Sequence, residues 1–231
     1  MPGWDSRLRI GAVQSAGAAA AWALATFLPG CDFAAAEHRV AARVSDPDAL
    51  AARPLVLPGL GGERTPVRDG ALRGAFVGVT EETTPEDFYL GVLTGVAMGL
   101  RHAADAMGIS QDRLPLVGGG SDSPAWRQIC ADVFGATMVT GDTAGSAEED
   151  PGSRSAARAA ADAIGLSHQI RPLLSAHGTA GRILTETHPG PARALLAERL
   201  ATHPAPYAAL TPTLHQPTRR APPTTPPPHE H

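Results

Sequence analysis

The 231 residues, 23.8 kDa in mass, allow one full domain or two small ones and are long enough to bury a sizeable core. Nineteen basic against twenty-three acidic residues leave a formal charge of −4, a field that invites neither nucleic acid nor an anionic membrane. Every basic residue is arginine, so a P-loop lysine, a Schiff-base or pyridoxal lysine and a Ser–Lys dyad are excluded together.

Gln14 to Leu28 is an alanine-rich run closed by Pro29-Gly30, which predicts a helix with its stop signal. Arg7 and Arg9 before it and Leu28-Pro29-Gly30-Cys31 at its end resemble a bacterial lipoprotein signal. The apolar run is too short to span a bilayer, and Asp5, Gln14 and the proline suit a signal poorly, so a buried helix is the preferred reading. Cys31 and Cys130 lack C-x-x-C spacing, which supports neither a disulfide framework nor a zinc ribbon and points to a reduced compartment, the cytoplasm.

Leu55-Val56-Leu57 and Gly74–Thr80 read as short strands. Thr84-Pro85-Glu86-Asp87 then opens the clearest helix of the sequence, with Phe88, Val92, Val96, Leu100, Ala103 and Met107 recurring every three or four residues before Gly108. Leu114–Val117 is a buried-type strand, Ser123-Pro124 starts a helix that Gly135 stops, and Ala136–Thr140 is a further strand. Helices are expected over Ser155–Ile164 and Ala192–Ala201. Nine prolines crowd between Pro204 and Pro228, so residues 1–210 are expected to fold and 211–231 to form a disordered or polyproline tail. Strands alternate with helices, and the fold class is α/β.

The most informative stretch is Leu114 to Trp126, LPLVGGGSDSPAW, where a hydrophobic strand delivers Gly118, Gly119 and Gly120 to the start of a helix. Residues without Cβ let the backbone lie against a planar or charged ligand, and free N–H groups at a helix start favour an anion. Neither the dinucleotide G-x-G-x-x-G nor the Walker motif is present, so a tight structural turn stands as the alternative.

The surrounding residues resemble one family in order. GGGSDSPAWRQICADVFG is similar to the nucleotide-binding turn and helix of the FGGY carbohydrate kinases, especially xylulokinases. LPGLGGERTPVRDGALRGAFVGVT resembles that family's Gly-Glu-Arg-Thr-Pro loop and following strand; AVQSAGAAAAW resembles the segment whose glycine approaches the nucleotide, and PARALLAERLATHPAPYAAL its closing helix. The second family signature fits over Gly74–Thr94 except at Gly91, where alanine or serine is usual, and at Thr94, where an acidic residue or glutamine is usual.

The resemblance implies a ribonuclease-H-like lobe of the actin and hexokinase type, one of two hinged around a cleft, truncated here at its amino-terminal strands. It implies ATP with magnesium, phosphoryl transfer to a sugar hydroxyl, and an aspartate that takes the hydroxyl proton. Carried over by position, it assigns Gly17, Gly118, Gly119, Gly120 and Ser123 to the nucleotide, while Ala21 stands where some relatives have a polar contact. Glu63 and Arg64 read equally as an ion pair stiffening the loop or as cleft contacts. Asp132, Arg127 and Gln128 read as surface helix residues, and Trp22 and Trp126 as packing anchors. Nine histidines show neither H-x-x-x-H nor H-E-x-x-H, so no protein-built metal site is expected; His229 and His231 read as a solvated end, and Ser15, Ser121 and Ser146 lack a G-x-S-x-G elbow.

No segment resembles the family's phosphate loop, sugar pocket or catalytic aspartate, and Asp5 has no matching neighbours. The expectation is therefore a carboxy-terminal lobe that is not catalytic alone, binds ATP or ADP, meets sugar only beside an amino-terminal half, and associates with that half or a second copy. The alternatives are a non-catalytic nucleotide- or partner-binding module and a lipid-anchored protein.

Overall fold

The computed structural model describes residues 10–14, 16–65, 68–141 and 183–203. The helix expected over 155–164, the tail, Asp5, Ser15, Ser146, His229 and His231 lie outside the described residues.

Helix α1 (Ala16–Phe27) forms where the alanine run predicts it. Ala19, Ala23 and Leu24 face inward, Leu28 just beyond is fully buried, and the helix packs along α4. The stretch before Cys31 is thus a helix with one face packed on the core and the other exposed. Two short helices follow, α2 (Phe33–Val40) and α3 (Pro47–Ala52). Each has an aspartate cap: Asp32 accepts from the N–H of Ala35 at 2.7 Å, and Asp46 from that of Asp48 at 3.0 Å.

Helix α4 (Pro85–Ala106) is the axis of the molecule. A reciprocal cap fixes its start: Thr84 Oγ1 accepts from the Asp87 N–H at 3.3 Å, and Asp87 Oδ2 from the Thr84 N–H at 3.0 Å. From Asp87 to Met98 only Phe88 escapes burial, because α1 lies on one side, α5 on another and strand β1 on a third. β1 (Leu55–Leu57) pairs antiparallel with β2 (Ala75–Val77), Val56 opposite Phe76. The departure from the family signature at Gly91 has a packing cause here, since a Cβ would lie 2.9 Å from Val56 Cγ2. Gly95, one turn on, would collide with the Val56 carbonyl. Thr94, the other departure, is buried, donates to the Leu90 carbonyl and receives the guanidinium of Arg53 at 3.1 Å. Arg53 is only 2% exposed, and burial draws its pKa down to about 10.

The second sheet is built on a strand–helix–strand unit. β3 (Arg113–Pro115) runs parallel to β4 (Thr137–Gly141), and the crossover between them is α5 (Pro124–Phe134). β5 (Ile183–Thr187) completes the order β3-β4-β5 by pairing antiparallel with β4. Helix α6 (Arg193–Thr202) closes the described chain against α5 and α3. The core therefore runs through α1, α4, α5 and α6, and the β3–α5 connection emerges at its edge. Trp22, Phe27, Phe76 and Phe88 form an aromatic group where α1, β2 and α4 meet; Phe27 stacks on Phe88 at 4.9 Å and Trp22 meets Phe27 edge-on at 5.6 Å.

Candidate functional site

Between β3 and α5 the chain makes the glycine turn, closed by a 3-10 segment, Gly119–Asp122. The ladder to β4 continues one residue past β3, where the N–H of Leu116 donates to the Val139 carbonyl at 2.9 Å. Gly118 then adopts φ 91° and ψ 178°, a conformation essentially restricted to glycine. It is exposed, as are Gly119 and Gly120, and a Cβ built on Gly118 or Gly119 meets nothing within 4 Å. Gly120 differs, for its Cβ would sit 3.2 Å from the Trp126 indole.

The turn is held from behind. Ser121, 6% exposed, donates its hydroxyl to the Gly118 carbonyl at 2.7 Å, and its own carbonyl accepts from Arg127 Nη1 at 2.7 Å. Trp126 is half-buried behind Gly120, a packing anchor as its sequence context suggests. Arg127 is thus a brace and not the surface residue expected. Open in front and braced behind, the main chain from Gly118 to Gly120 is a fixed shelf.

Ser123 caps α5, accepting from the Trp126 N–H at 3.0 Å. Its hydroxyl donates to Glu37 of α2, and the other Glu37 oxygen accepts from the Ala125 N–H at 3.0 Å. Pro124 has no N–H to offer, so the start of α5 holds a carboxylate of the chain itself and not free donors awaiting an external anion. The sequence reading of this helix start is corrected on that point: Glu37 comes from 86 residues away and leaves no local signal. Tyr89 lies nearby, and burial with the Glu37 charge pushes its phenol up to about 12.

The remaining expected residues divide. Gly17 is exposed in the first turn of α1, with Ala21 exposed one turn on; α1 packs on α4, and α4 on α5. Asp132 is not a surface residue. It is 2% exposed, accepts from the Gly190 N–H and from Gln128 Nε2, and ties α5 to the segment before α6. Burial raises its pKa against the opposing pull of those two bonds. Gln128 also donates to the His188 carbonyl at 3.1 Å, so it too is structural.

Glu63 and Arg64 do not pair. Glu63, 7% exposed, accepts from the backbone N–H groups of Gln14 at 3.1 Å and Arg64 at 2.9 Å. Arg64 is exposed on a cleft of about 630 Å³ that Ile10, Ala12, Thr65 and Arg68 also line. Among the described residues no three His, Cys, Asp or Glu side chains gather to hold a metal ion, and no helix is long and apolar enough to cross a membrane.

The sequence pattern of the FGGY family of carbohydrate kinases, C-terminal domain, matches residues 6–147. The xylulose kinase of Escherichia coli K12 is 40% identical over 82 residues, 34% of this chain and 17% of that protein. The xylulose kinase of Staphylococcus epidermidis is 30% identical over 133 residues, 56% of this chain and 26% of that protein. Among solved structures, a ligand-bound xylulose kinase from Lactobacillus acidophilus superposes with a TM-score of 0.65 at 24% identity, covering 87% of this chain and 39% of that one. The glycerol kinase of Plasmodium falciparum with ADP gives 0.61 at 18% identity, over 88% of this chain and 38% of that one. These likenesses give the fold, the ribonuclease-H-like fold of actin and hexokinase, and the chain spans well under half of each of these four proteins. With more than half of its residues fitting that domain's pattern, the chain belongs to the FGGY family of carbohydrate kinases.

Proposed function

We propose that this chain is the nucleotide-holding lobe of an ATP-dependent, xylulokinase-like sugar kinase. The observation that carries the reading is the shelf at Gly118–Gly120, bare of side chains in front and fixed from behind by Ser121, Trp126 and Arg127. A nucleoside can lie flat on such backbone, and Gly119 is the position where only a ligand, not the protein, needs the missing Cβ. Ser123 sits at the shelf's end with Glu37, a hydroxyl and a carboxylate placed to accept from a base edge. Because Glu37 occupies the start of α5, the phosphates extend away from that helix start.

Phosphoryl transfer depends on positioning and on neutralising charge, and a lobe contributes the first by fixing the nucleotide. Magnesium would arrive with ATP, held mainly through the phosphates and the amino-terminal half, and would supply neutralisation of the charge on the γ-phosphoryl group. The proton of the sugar hydroxyl goes to an aspartate of that same half. The working state is then a cytoplasmic assembly of this lobe with an amino-terminal lobe, with a second copy of the chain as the other candidate contact.

Calorimetric titration of Mg-ATP into the chain tests the reading against Gly119→Val. The variant is expected to keep the wild-type melting temperature and lose at least tenfold in affinity; unchanged affinity would overturn the shelf. Adding a separately expressed amino-terminal kinase half should produce sugar-dependent ADP release. Tight ATP binding with no release in the mixture would favour a non-catalytic nucleotide module.

A further inference from the structure

We infer that the cleft beside the Glu63–Asp69 loop is a phosphoryl-anion site gripped by Arg64 and Arg68. The inference stands beside the glycine-shelf reading and does not require it.

The loop has a pinned neck. Glu63 and Asp69 exchange backbone hydrogen bonds, Glu63 N–H to the Asp69 carbonyl at 2.8 Å and Asp69 N–H to the Glu63 carbonyl at 3.0 Å. Below them Gly62, at φ 92°, passes so close to Gly70 that a Cβ would lie 2.8 Å from its Cα. Thr65 Oγ1 accepts from the Ala12 N–H at 3.4 Å, which ties the loop to the segment leading into α1.

The charges on this loop are sorted by what they touch. Both carboxylates face backbone N–H groups: Glu63 takes those of Gln14 and Arg64, and Asp69 Oδ1 takes those of Ala71 at 2.9 Å and Leu72 at 3.2 Å. Both guanidiniums are exposed at the cleft and have no carboxylate or carbonyl partner among the described residues. Most other described arginines are engaged: Arg39 pairs with Glu86, Arg43 with Asp87, Arg101 with Asp105 and Arg113 with Glu186, while Arg53 and Arg199 hold backbone carbonyls; Arg193, far along the chain, is exposed and unpaired among the described residues but does not line the cleft. Two cations beside that pinned neck, unpaired among the described residues, are therefore available to a ligand. The planar fork of a guanidinium matches phosphate oxygens two at a time, and two forks suit a doubly charged phosphoryl group. A cleft of about 630 Å³ has room for the rest of a nucleotide or a phosphorylated sugar.

Phosphoryl groups could reach the cleft on a nucleotide tail or on a sugar phosphate, and the experiment separates them. Calorimetry at low salt would titrate sodium tripolyphosphate, ATP, adenosine, ribose 5-phosphate and succinate into the full chain and into an Arg64→Gln/Arg68→Gln variant. Arg39→Gln serves as a control for general loss of charge. Tripolyphosphate is expected to bind wild type and Arg39→Gln alike and to lose at least tenfold in the double variant, with melting unchanged. A matching loss for ATP but not adenosine assigns the site to the nucleotide tail; a loss for ribose 5-phosphate assigns it to the sugar phosphate. Equal tripolyphosphate affinity in wild type and double variant, or no binding to wild type, overturns the site. Succinate binding as tightly as tripolyphosphate overturns its phosphoryl class. If ATP fails at the glycine shelf while tripolyphosphate still needs Arg64 and Arg68, the nucleotide-lobe reading falls and this one stands.

Discussion

Gly118 and Gly119 are neighbours on one turn under different constraints. Gly118 is fixed by its backbone, so Gly118→Ala is expected to cost about 1–3 kcal/mol in urea denaturation whether or not nucleotide is present. Gly119 is free of that constraint and of contacts, so its substitution should register only in binding. Glu37 and Ser123 form the other pair to dissect. Glu37→Ala leaves the Ala125 N–H and the Ser123 hydroxyl without their acceptor and should cost about 1–2 kcal/mol. Ser123→Ala should cost a similar amount, and a double-mutant cycle should show coupling, because each removes part of the same cap. Of these residues the glycines and Ser123 were legible in sequence, through the spacing that marks a strand, a turn and a capped helix. Glu37, Ser121 and Arg127 were not read as parts of the site, since what gives them a role is a contact made only after folding.

At the scale of elements, α4 and α5 carried their own punctuation. Thr84-Pro85 and Ser123-Pro124 cap their starts, and Gly108 and Gly135 follow their ends at φ 68° and 61°. α2 and α3 went unread because helices of eight and six residues are too short for periodicity to show, and β5 because five residues separated from their partner strand lack context. The junctions between elements depend on buried polar groups. Asp132→Ala, which strips the buried acceptor from the half-buried Gly190 link between α5 and the segment before α6, should cost about 1–3 kcal/mol by thermal or chemical unfolding. His203, fully buried at the end of α6 with Nε2 3.3 Å from the Val56 carbonyl, joins that helix to β1. Burial, then the nearby His102, lower its pKa to about 4. The unfolded chain, with an ordinary histidine near 6.5, binds the proton more readily, so this contribution is complete above pH 6.5 and is lost as pH falls toward 4. The loss should be on the order of 3 kcal/mol, and His203→Phe should flatten the stability profile between those limits.

For the molecule as a whole, the proposed reading has the 231 residues binding nucleotide as one lobe of a two-lobe kinase. On that reading the lobe positions only one reactant, so ADP release measured with this chain alone is expected to show no dependence on sugar and to acquire one with an amino-terminal half. What the sequence determined by itself was local: an α/β alternation, the ends of the principal helices, the glycine turn, and a family likeness spread over ordered segments. These follow from φ/ψ preferences, caps and hydrophobic spacing, all of which act within a few residues. Tertiary structure decided which side chains face which. It put Glu37 on the start of α5, buried Asp132 under Gly190, brought α4 against Val56 closely enough to require Gly91 and Gly95, and turned Glu63 to backbone amides so that Arg64 and Arg68 were left for the cleft. Those outcomes depend on contacts between residues tens of positions apart, where desolvation and unpaired donors set the energy and no short stretch of sequence carries the information.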